Sequence, residues 1–390
     1  MTAVADVVIV GAGVHGASLA FHLAQRSVDV LVVERENVAA GATGRSSGFI
    51  RMHYDLESEA RLAWASFPYF RFWDDLVGVG DPGFVRTGFL QLVPPELANA
   101  LRANVAMQQA LGIPALLVGP DDVARLAPGL VTDDVVVAAY EPESGYADPT
   151  GTAAGFLAAA RGRGARLLTG CTVTAIRVAG ERITGVDTTQ GFLAAGTVVV
   201  AAGAWSRQLA ATAGLQIPVE PWRHETIFLG RPAGQRTILP VVIDDANDLY
   251  FRPEGRDLLL VGLEDDNEVG GSPDRPQRGL APELVHRMIL RLTRRLPAME
   301  LATFRTAHGG QDGITPDQRA ILGPAGPDGL VLACGFSGTG FKIAPAVGAC
   351  LAEWICDGQP RTVDITPYRL ERFATGQPLV GAHPYPAIWR

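Results

Sequence analysis

The 390 residues exceed what one hydrophobic core usually covers, and 47% hydrophobic against 19% charged side chains supports well-formed interiors, so two domains are expected and disorder is excluded. A formal charge of −8 argues against a nucleic-acid or anionic-membrane partner, since both reward a basic face. No apolar run approaches the roughly 18 residues of a membrane span, and no basic segment precedes the first one, so a soluble, cytoplasmic protein is expected.

The first element is the β-branched run Asp6-Val7-Val8-Ile9-Val10, which reads as a buried strand. It leads into Gly11-Ala12-Gly13-Val14-His15-Gly16 and a helical pattern over residues 17–26. Strand, GxGxxG and helix in that order describe a dinucleotide-binding turn. Gly11 permits the tight turn, Gly13 lets backbone approach a pyrophosphate, Gly16 lets helix and strand pack, and the helix N-terminus takes the anion. Val14 and His15 lie inside this loop and are expected to contact the cofactor through backbone. A second strand over 28–33 ends in Glu34, followed by Arg35. Glu34 comes roughly 20 residues after Gly11, where a carboxylate suits a ribose diol and repels a 2′-phosphate. The loop Gly41-Ala42-Thr43-Gly44-Arg45-Ser46-Ser47-Gly48 offers unhindered N–H groups and hydroxyls, so Gly44, Arg45, Ser46 and Ser47 are candidates to hold further phosphate. A long helix is expected from about residue 56.

From 84 to about 140 the pattern changes to short strands at 88–93 and 135–139 around a helix near 95–112, a first excursion into a second domain. Asp148 is placed to cap a helix that Pro149 begins and that runs through residue 160. Three short alternating strands follow, at 171–178, 182–188 and 191–193, and then the buried run Thr197-Val198-Val199-Val200. That run ends in Ala201-Ala202-Gly203-Ala204-Trp205-Ser206, where small residues let backbone pass close to a cofactor. Ala202, Gly203 and Trp205 are therefore candidate contacts, as is Val173. Residues 218–303 are strand-rich, with strands at 225–229, 248–252 and 258–262 and a helix at 282–296, and read as the rest of the second domain, built on an antiparallel sheet. On that helix Arg287, Arg291, Arg294 and Arg295 alternate with Leu284, Met288, Leu292 and Leu296 and read as a solvated basic face. The final return to the first domain carries a strand at 330–333, the segment Gly335-Phe336-Ser337-Gly338-Thr339-Gly340-Phe341-Lys342, and a helix over 345–356. Cys171, Cys334, Cys350 and Cys356 lack CxxC spacing, which suggests neither a disulfide framework nor a metal. Residues after 373 form a tail rich in Pro and aromatics with no structural reading. The two glycine-rich segments, near the start and near the end, belong together and point to FAD.

This order of motifs resembles the D-amino acid oxidase superfamily of FAD proteins, and within it the sarcosine oxidase and glycine oxidase branch. The resemblance is carried by the GxGxxG with Glu34-Arg35, by the Gly/Ser loop followed by Ile50-Arg51-Met52-His53-Tyr54, and by VVVAAGAWS over 198–206. Thr315-Pro316-Asp317, the segment from Gly335 to Lys342, and Thr366-Pro367-Tyr368 leading to Arg372-Phe373 complete it. It implies an α/β fold with a discontinuous Rossmann-like FAD-binding domain, here residues 1–83, 141–217 and 304–375. A second, α+β substrate domain, residues 84–140 and 218–303, covers the flavin with an antiparallel sheet, and 376–390 is a tail.

The resemblance also implies roles. Arg51 and Lys342 bind the substrate carboxylate near the flavin, and Gly338, Thr339, Gly340 and Phe341 hold the cofactor. The helix after Lys342 aims its N-terminal dipole at the flavin edge where negative charge accumulates. Gly310 stands where the covalent branch has its cysteine, so FAD is expected to be noncovalent. Thr339 replaces a frequent histidine, and Leu260 stands where an oxygen-activating lysine is expected, which puts oxidase activity in doubt. The implied reaction is oxidation of a small amino acid, secondary or N-alkylated, to an imine by hydride transfer to flavin N5, followed by hydrolysis. Its partners are that carboxylate-bearing substrate and O2 or another electron acceptor, with a homo-oligomer or a flavoprotein complex as possible assemblies.

Each residue has a plainer reading beside the functional one. Arg51 can pair with a flavin phosphate or a surface acid and Lys342 can cap a loop. Tyr250 can donate to the carboxylate or simply pack, and His53 is suggestive only through its adjacency to Arg51. A 2-hydroxy-acid dehydrogenase on the same scaffold would need His53 as a base to take the hydroxyl proton. A flavoprotein subunit that turns over only with a partner is the alternative from another class. An NADPH-dependent aromatic hydroxylase is disfavoured, because the C-terminal segment is GFSGTGFK and not an acidic Gly-Asp motif.

Overall fold

A computed structural model describes residues 3–234, 237–263, 268–275 and 280–386. Two large sheets dominate it. In the first, the strand Ala3–Val10 lies parallel between Val30–Val33 and Gly191–Val200, and Arg166–Leu168 extends the edge beyond Val30–Val33. Both faces of the central strands are covered, which explains why residues 7–10 read as one continuous apolar run. Val7, Ile9, Val32 and Val199 pack under the helices Val14–Gln25, Pro149–Arg161 and Gly340–Asp357. Val8, Val10, Val198 and Val200 face the other way, toward Leu209, Leu330 and Leu332. The helices approach closely: a Cβ on Gly348 would lie 2.2 Å from the Ser18 hydroxyl. Asp148 caps its helix as expected, accepting from the Thr150 N–H at 2.9 Å.

Two short strands expected at 191–193 and 197–200 are one strand of ten residues. Its first half pairs antiparallel with Arg182–Thr188 and its second half parallel with Leu330–Cys334. Pairing with Ala3–Val10 carries it through Ala194-Ala195-Gly196, a stretch of weak strand formers that reads locally as a break.

The second sheet runs in the order Thr303–Ile314, Glu220–Gly230, Leu258–Leu263, Leu249–Glu254, Val241–Asp244, Phe89–Leu92, Ala138–Glu141, Leu116–Val118. It is antiparallel except where Val241–Asp244 meets Phe89–Leu92. Thr303–Ile314 is hydrogen-bonded along Glu220–Gly230, so residues 304–314, assigned from sequence to the cofactor domain, sit in this sheet instead. One face, with Leu90, Ile227, Phe251, Leu259 and Val261, packs on Met288 and Leu292 of the helix Pro282–Arg295. The other face carries His224, Phe228, Tyr250, Arg252 and Leu260 toward the first sheet; Tyr250 lies opposite Gly262, where a Cβ would fall 2.3 Å from the phenol ring.

The basic stripe needs one correction. Arg295 is buried, with Nη1 2.7 Å from Asp134 and Nε 2.6 Å from Asp244. It occupies the last turn, where the side chain folds under the sheet and two carboxylates plus the Val131 carbonyl satisfy the guanidinium.

The tail is also ordered through residue 386. Leu379 donates its N–H to Asp317 at 3.0 Å, and Asn104 donates to the His383 carbonyl at 2.9 Å. No helix among the described residues is long and apolar enough to cross a membrane.

Candidate active site

A cavity of about 420 Å³ follows the C-terminal ends of the first sheet's strands and opens beneath the second sheet. Gly11, Gly13, Val14, His15, Glu34, Arg35, Arg45, Ser46, Ser47, Val173, Ala202, Gly203, Trp205, Gly310, Gly338, Gly340 and Phe341 line it, together with Tyr250. Gly16, Gly44 and Thr339 do not. A Cβ on Gly16 would sit 2.0 Å from the Gly11 carbonyl and one on Gly44 2.5 Å from that of Ala39, so both shape the loops from behind. Thr339 turns its hydroxyl to the Phe336 carbonyl at 2.9 Å.

Gly11 has φ +109°, and its missing Cβ would be 2.4 Å from the Ala201 carbonyl oxygen, so only glycine fits where the two βα connections meet. Glu34 accepts the Ala12 N–H at 2.8 Å and the Glu36 N–H at 2.9 Å, which ties the carboxylate to the nucleotide loop. The helix Val14–Gln25 has no side-chain cap and no acid in its first turn, and the same is true of Gly340–Asp357. Neither helix thus carries an acid of its own at its positive dipole end; Thr43 Oγ1 takes the Val14 N–H at 3.0 Å.

The turn ahead of the second helix is strained. Ser337, a non-glycine, has φ +51° and is held by its N–H to the Gly313 carbonyl at 2.9 Å and by its hydroxyl, which accepts from the Thr315 N–H at 3.2 Å. Asp312 accepts the N–H of Gly338 at 2.7 Å and of Gly313 at 2.8 Å; burial nevertheless pushes its carboxyl up. The His15 ring stacks on Phe336 with centroids 3.4 Å apart, and burial lowers its pKa to about 3, so it is neutral.

Beside Glu34 a second cluster closes over the cavity. Arg35 lies 4.0 Å over the Trp205 ring, and Asp274 accepts from Arg35 at 3.0 Å and from the Trp205 indole at 2.7 Å. Asp274 belongs to the connection after Leu258–Leu263, so the second domain reaches across to the nucleotide fold. Neither Asp274 nor Asp312 carries a sequence signal beyond being an acid in a loop or strand.

A small cavity of about 20 Å³, room for about one water, adjoins the large one and shares Ser46, Ser47, Tyr250, Gly338 and Phe341 with it. Arg51 and Lys342 both line it. Arg51 is buried, its guanidinium 4.4 Å over the Tyr54 ring; the Lys342 ammonium lies 5.4 Å from the same ring. Lys342 sits in the first turn of an 18-residue helix, where a cation opposes the dipole. Burial first, then Arg51, push its pKa well below the ordinary lysine value, against the pull of Glu59 and Glu141. Arg51 and Lys342 thus stand together beside the N-terminus of that helix, with the buried carboxyls of Glu59 and Glu141 near them.

Of the other cations nearby, Arg45 donates to the Ala40 and Gly41 carbonyls, and Arg252 to the Ser47 carbonyl and to Glu254 at 2.6 Å. Tyr250 hydrogen-bonds His224 through its hydroxyl. His53 lines neither cavity; its ring nitrogens lie 3.0 Å from Gln108 Oε1 and 2.9 Å from the Tyr385 hydroxyl. Burial and then Arg51 lower its pKa to about 3, and with both ring nitrogens engaged away from the cavities it is not placed to take a substrate proton. Leu260 also lines neither cavity and packs with Phe49, Phe89, Ile243 and Tyr250.

The family described as FAD dependent oxidoreductase (DAO) matches residues 6–354. The chain belongs to that family. Sarcosine dehydrogenase, mitochondrial, of Mus musculus is 28% identical over 384 residues, covering 95% of this chain and 41% of its own length, so the chain spans less than half of that relative. FAD-dependent oxidoreductase domain-containing protein 1 of Bos taurus is 32% identical over 416 residues, covering 95% of this chain and 85% of that protein. Among solved structures, L-proline dehydrogenase from P. horikoshii matches with a TM-score of 0.89 at 27% identity, covering 97% of this chain and all of that one.

The family's cofactor is FAD, and the cavity fits it. Two helices with no acid in their first turn begin at the cavity; Thr43 Oγ1 takes the Val14 N–H at 3.0 Å, and the N–H groups that follow suit a pyrophosphate and an electron-rich ring edge. Glu34 suits a ribose diol, and a Cβ on Gly203 would project into open space that glycine leaves for the ligand.

Proposed function

We propose that this flavoprotein oxidises a small amino acid bearing a secondary or N-alkylated amine to an imine, which water then hydrolyses. The observation that carries the reading is the placement of Arg51 and Lys342 on one small cavity that shares five lining residues with the cofactor cavity. FAD, when bound, supplies the two-electron oxidant that takes the hydride from the substrate carbon. The chain's residues orient and desolvate. The Arg51 guanidinium and the Lys342 ammonium hold the carboxylate by charge-assisted hydrogen bonds and so fix the Cα–H relative to the cofactor cavity. Tyr250, on the sheet face above, lines both cavities and keeps water out. No protein base is needed when the amine binds neutral. A 2-hydroxy acid would need one, and His53 is not placed to serve.

FAD is held without a covalent bond. A Cβ at Gly310 would lie 3.0 Å from the Arg45 side chain, which leaves a cysteine little room there, and Cys171, the cysteine that lines the cavity, stands beside Glu34, its N–H on the Glu34 carbonyl. Acid precipitation should release all of the yellow colour.

Leu260, packed with Phe49, Phe89, Ile243 and Tyr250, brings no charge of its own to stabilise superoxide, and this favours an electron acceptor other than oxygen. Stopped-flow reoxidation should be slower with oxygen than with a dye, and equal rates would reject this. An anaerobic screen of flavin bleaching by the purified single chain, across N-methyl, cyclic and D-amino acids and 2-hydroxy acids, tests the substrate class. Bleaching by hydroxy acids alone, or by nothing until a partner protein is added, would replace the proposal.

A further inference from the structure

The segment 376–386 folds back onto the residues that flank Arg51. Gly381 packs against the backbone of Asp55, whose carbonyl oxygen a Cβ would meet at 2.4 Å, and Tyr385 donates its N–H to the Asp55 carboxylate at 3.4 Å. From Tyr385 a chain of hydrogen bonds with one possible direction runs to the backbone beside Arg51. The Met52 carbonyl can only accept, so Gln108 gives it the amide N–H, at 3.0 Å, and turns its oxygen to His53. That oxygen also only accepts, so His53 donates from Nδ1, at 3.0 Å. A neutral imidazole then has a lone pair on Nε2, and the Tyr385 hydroxyl must donate to it, at 2.9 Å. On the other side of Met52, its N–H goes to Glu141 at 2.9 Å, and the Ser144 hydroxyl fixes that carboxylate at 2.6 Å. His53, Gln108, Glu141 and Tyr385 are all buried.

We propose that Tyr385 is a positioning residue of the substrate site: through His53 and Gln108 it locks the peptides around Met52 and thereby holds Arg51 in place for a carboxylate. The inference rests on the reading of Arg51 as a carboxylate anchor. Without the hydroxyl, the His53 lone pair is buried with no donor, and the ring, the Gln108 amide and the Met52 carbonyl lose their shared constraint.

The test is acetate binding to the FAD-loaded chain, read as a perturbation of the flavin absorbance, alongside FAD content and thermal midpoint. Tyr385→Phe should weaken acetate binding about 2- to 10-fold, the effect of one buried hydrogen bond, with FAD content unchanged. His53→Gln keeps an acceptor for Tyr385 and a donor for Gln108, and should bind acetate more tightly than His53→Phe. In an Arg51→Lys background, Tyr385→Phe should add little, because its effect passes through Arg51. If Arg51→Lys weakens acetate binding while Tyr385→Phe and His53→Phe leave it at the wild-type value, the positioning role is wrong and the anchor stands. Equal weakening by Tyr385→Phe in both backgrounds, or equal affinities for His53→Gln and His53→Phe, also overturns it. If Arg51→Lys itself has no effect, the anchor reading falls.

Discussion

Around the cofactor cavity the contacts come from backbone that glycine allows to approach, with helix N-termini supplying partial charge, whereas around Arg51 and Lys342 they come from whole charges on long side chains taken out of water. At Gly11 and Gly16 the first arrangement tolerates no added atom, since a methyl group there would overlap a carbonyl oxygen. The second tolerates changes of shape but not of charge. Its buried neighbours include Arg319, shared between Asp55 at 2.6 Å and Glu59 at 2.9 Å, and Glu141, whose carboxylate takes the Met52 N–H at 2.9 Å and the Ser144 hydroxyl at 2.6 Å. A backbone site is therefore brittle to size and indifferent to pH, and a buried-charge site is the reverse.

The largest effect should follow from breaking the backbone half. Gly11→Ala forces a side chain onto φ +109°, which alone costs roughly 1–3 kcal/mol, and drives a methyl into the Ala201 carbonyl. The variant should purify without FAD or fail to fold, and full flavin occupancy at the wild-type thermal midpoint would show that the turn is not constrained in this way.

On the charged half the sharpest signature is pH. Lys342 has its pKa pushed well below the lysine value, so as pH rises through it the ammonium is lost and a carboxylate ligand loses one of its two partners. A bound carboxylate raises that pKa, so acetate affinity should fall by up to about tenfold per pH unit between the free and bound values. Acetate does not titrate in this range, and Lys342→Arg should flatten the profile. A wild-type affinity that does not change anywhere between the acid limit at which acetate stays ionised and the ordinary lysine range would place the titration elsewhere.

The smallest effect is expected beside Glu34, where the second domain reaches the nucleotide fold. Asp274→Ala removes an exposed contact that ties Arg35 and Trp205 together, and exposed ion pairs contribute about 1 kcal/mol or less. FAD should dissociate a few-fold faster, while acetate binding to the loaded protein stays the same. A change in acetate affinity would mean that the clasp acts on both halves.

The same contrast explains what was legible in the sequence. Gly11, Gly13, Glu34, Ala202, Gly203 and the segment around Gly338 follow one another along the chain at fixed spacings, because backbone sites are local. The partners of Met52 and His53, which follow Arg51 in the chain, come from Gln108, Glu141 and Tyr385, which no short-range pattern joins. His53 was legible as a titratable neighbour of Arg51 but not as a link in a buried chain, since that depends on where the tail returns. Arg295 was misread because a helical pattern places a residue on a face without saying that Asp134 and Asp244 wait beneath it. Strand 191–200 was split because sheet pairing with residues 3–10 overrides weak local propensity.

The central claim is that Arg51 holds the substrate's carboxylate. The most direct measurement compares anaerobic flavin reduction by an N-methyl amino acid and by the matching amine that lacks the carboxylate, in the wild type and in Arg51→Ala. Loss of one charge-assisted partner should reduce the apparent second-order rate for the amino acid by about 2–4 kcal/mol, roughly thirtyfold to a thousandfold, and leave the amine nearly unchanged, so that the preference between them collapses. An Arg51→Ala protein that keeps its FAD and the full wild-type preference for the carboxylate would contradict the account.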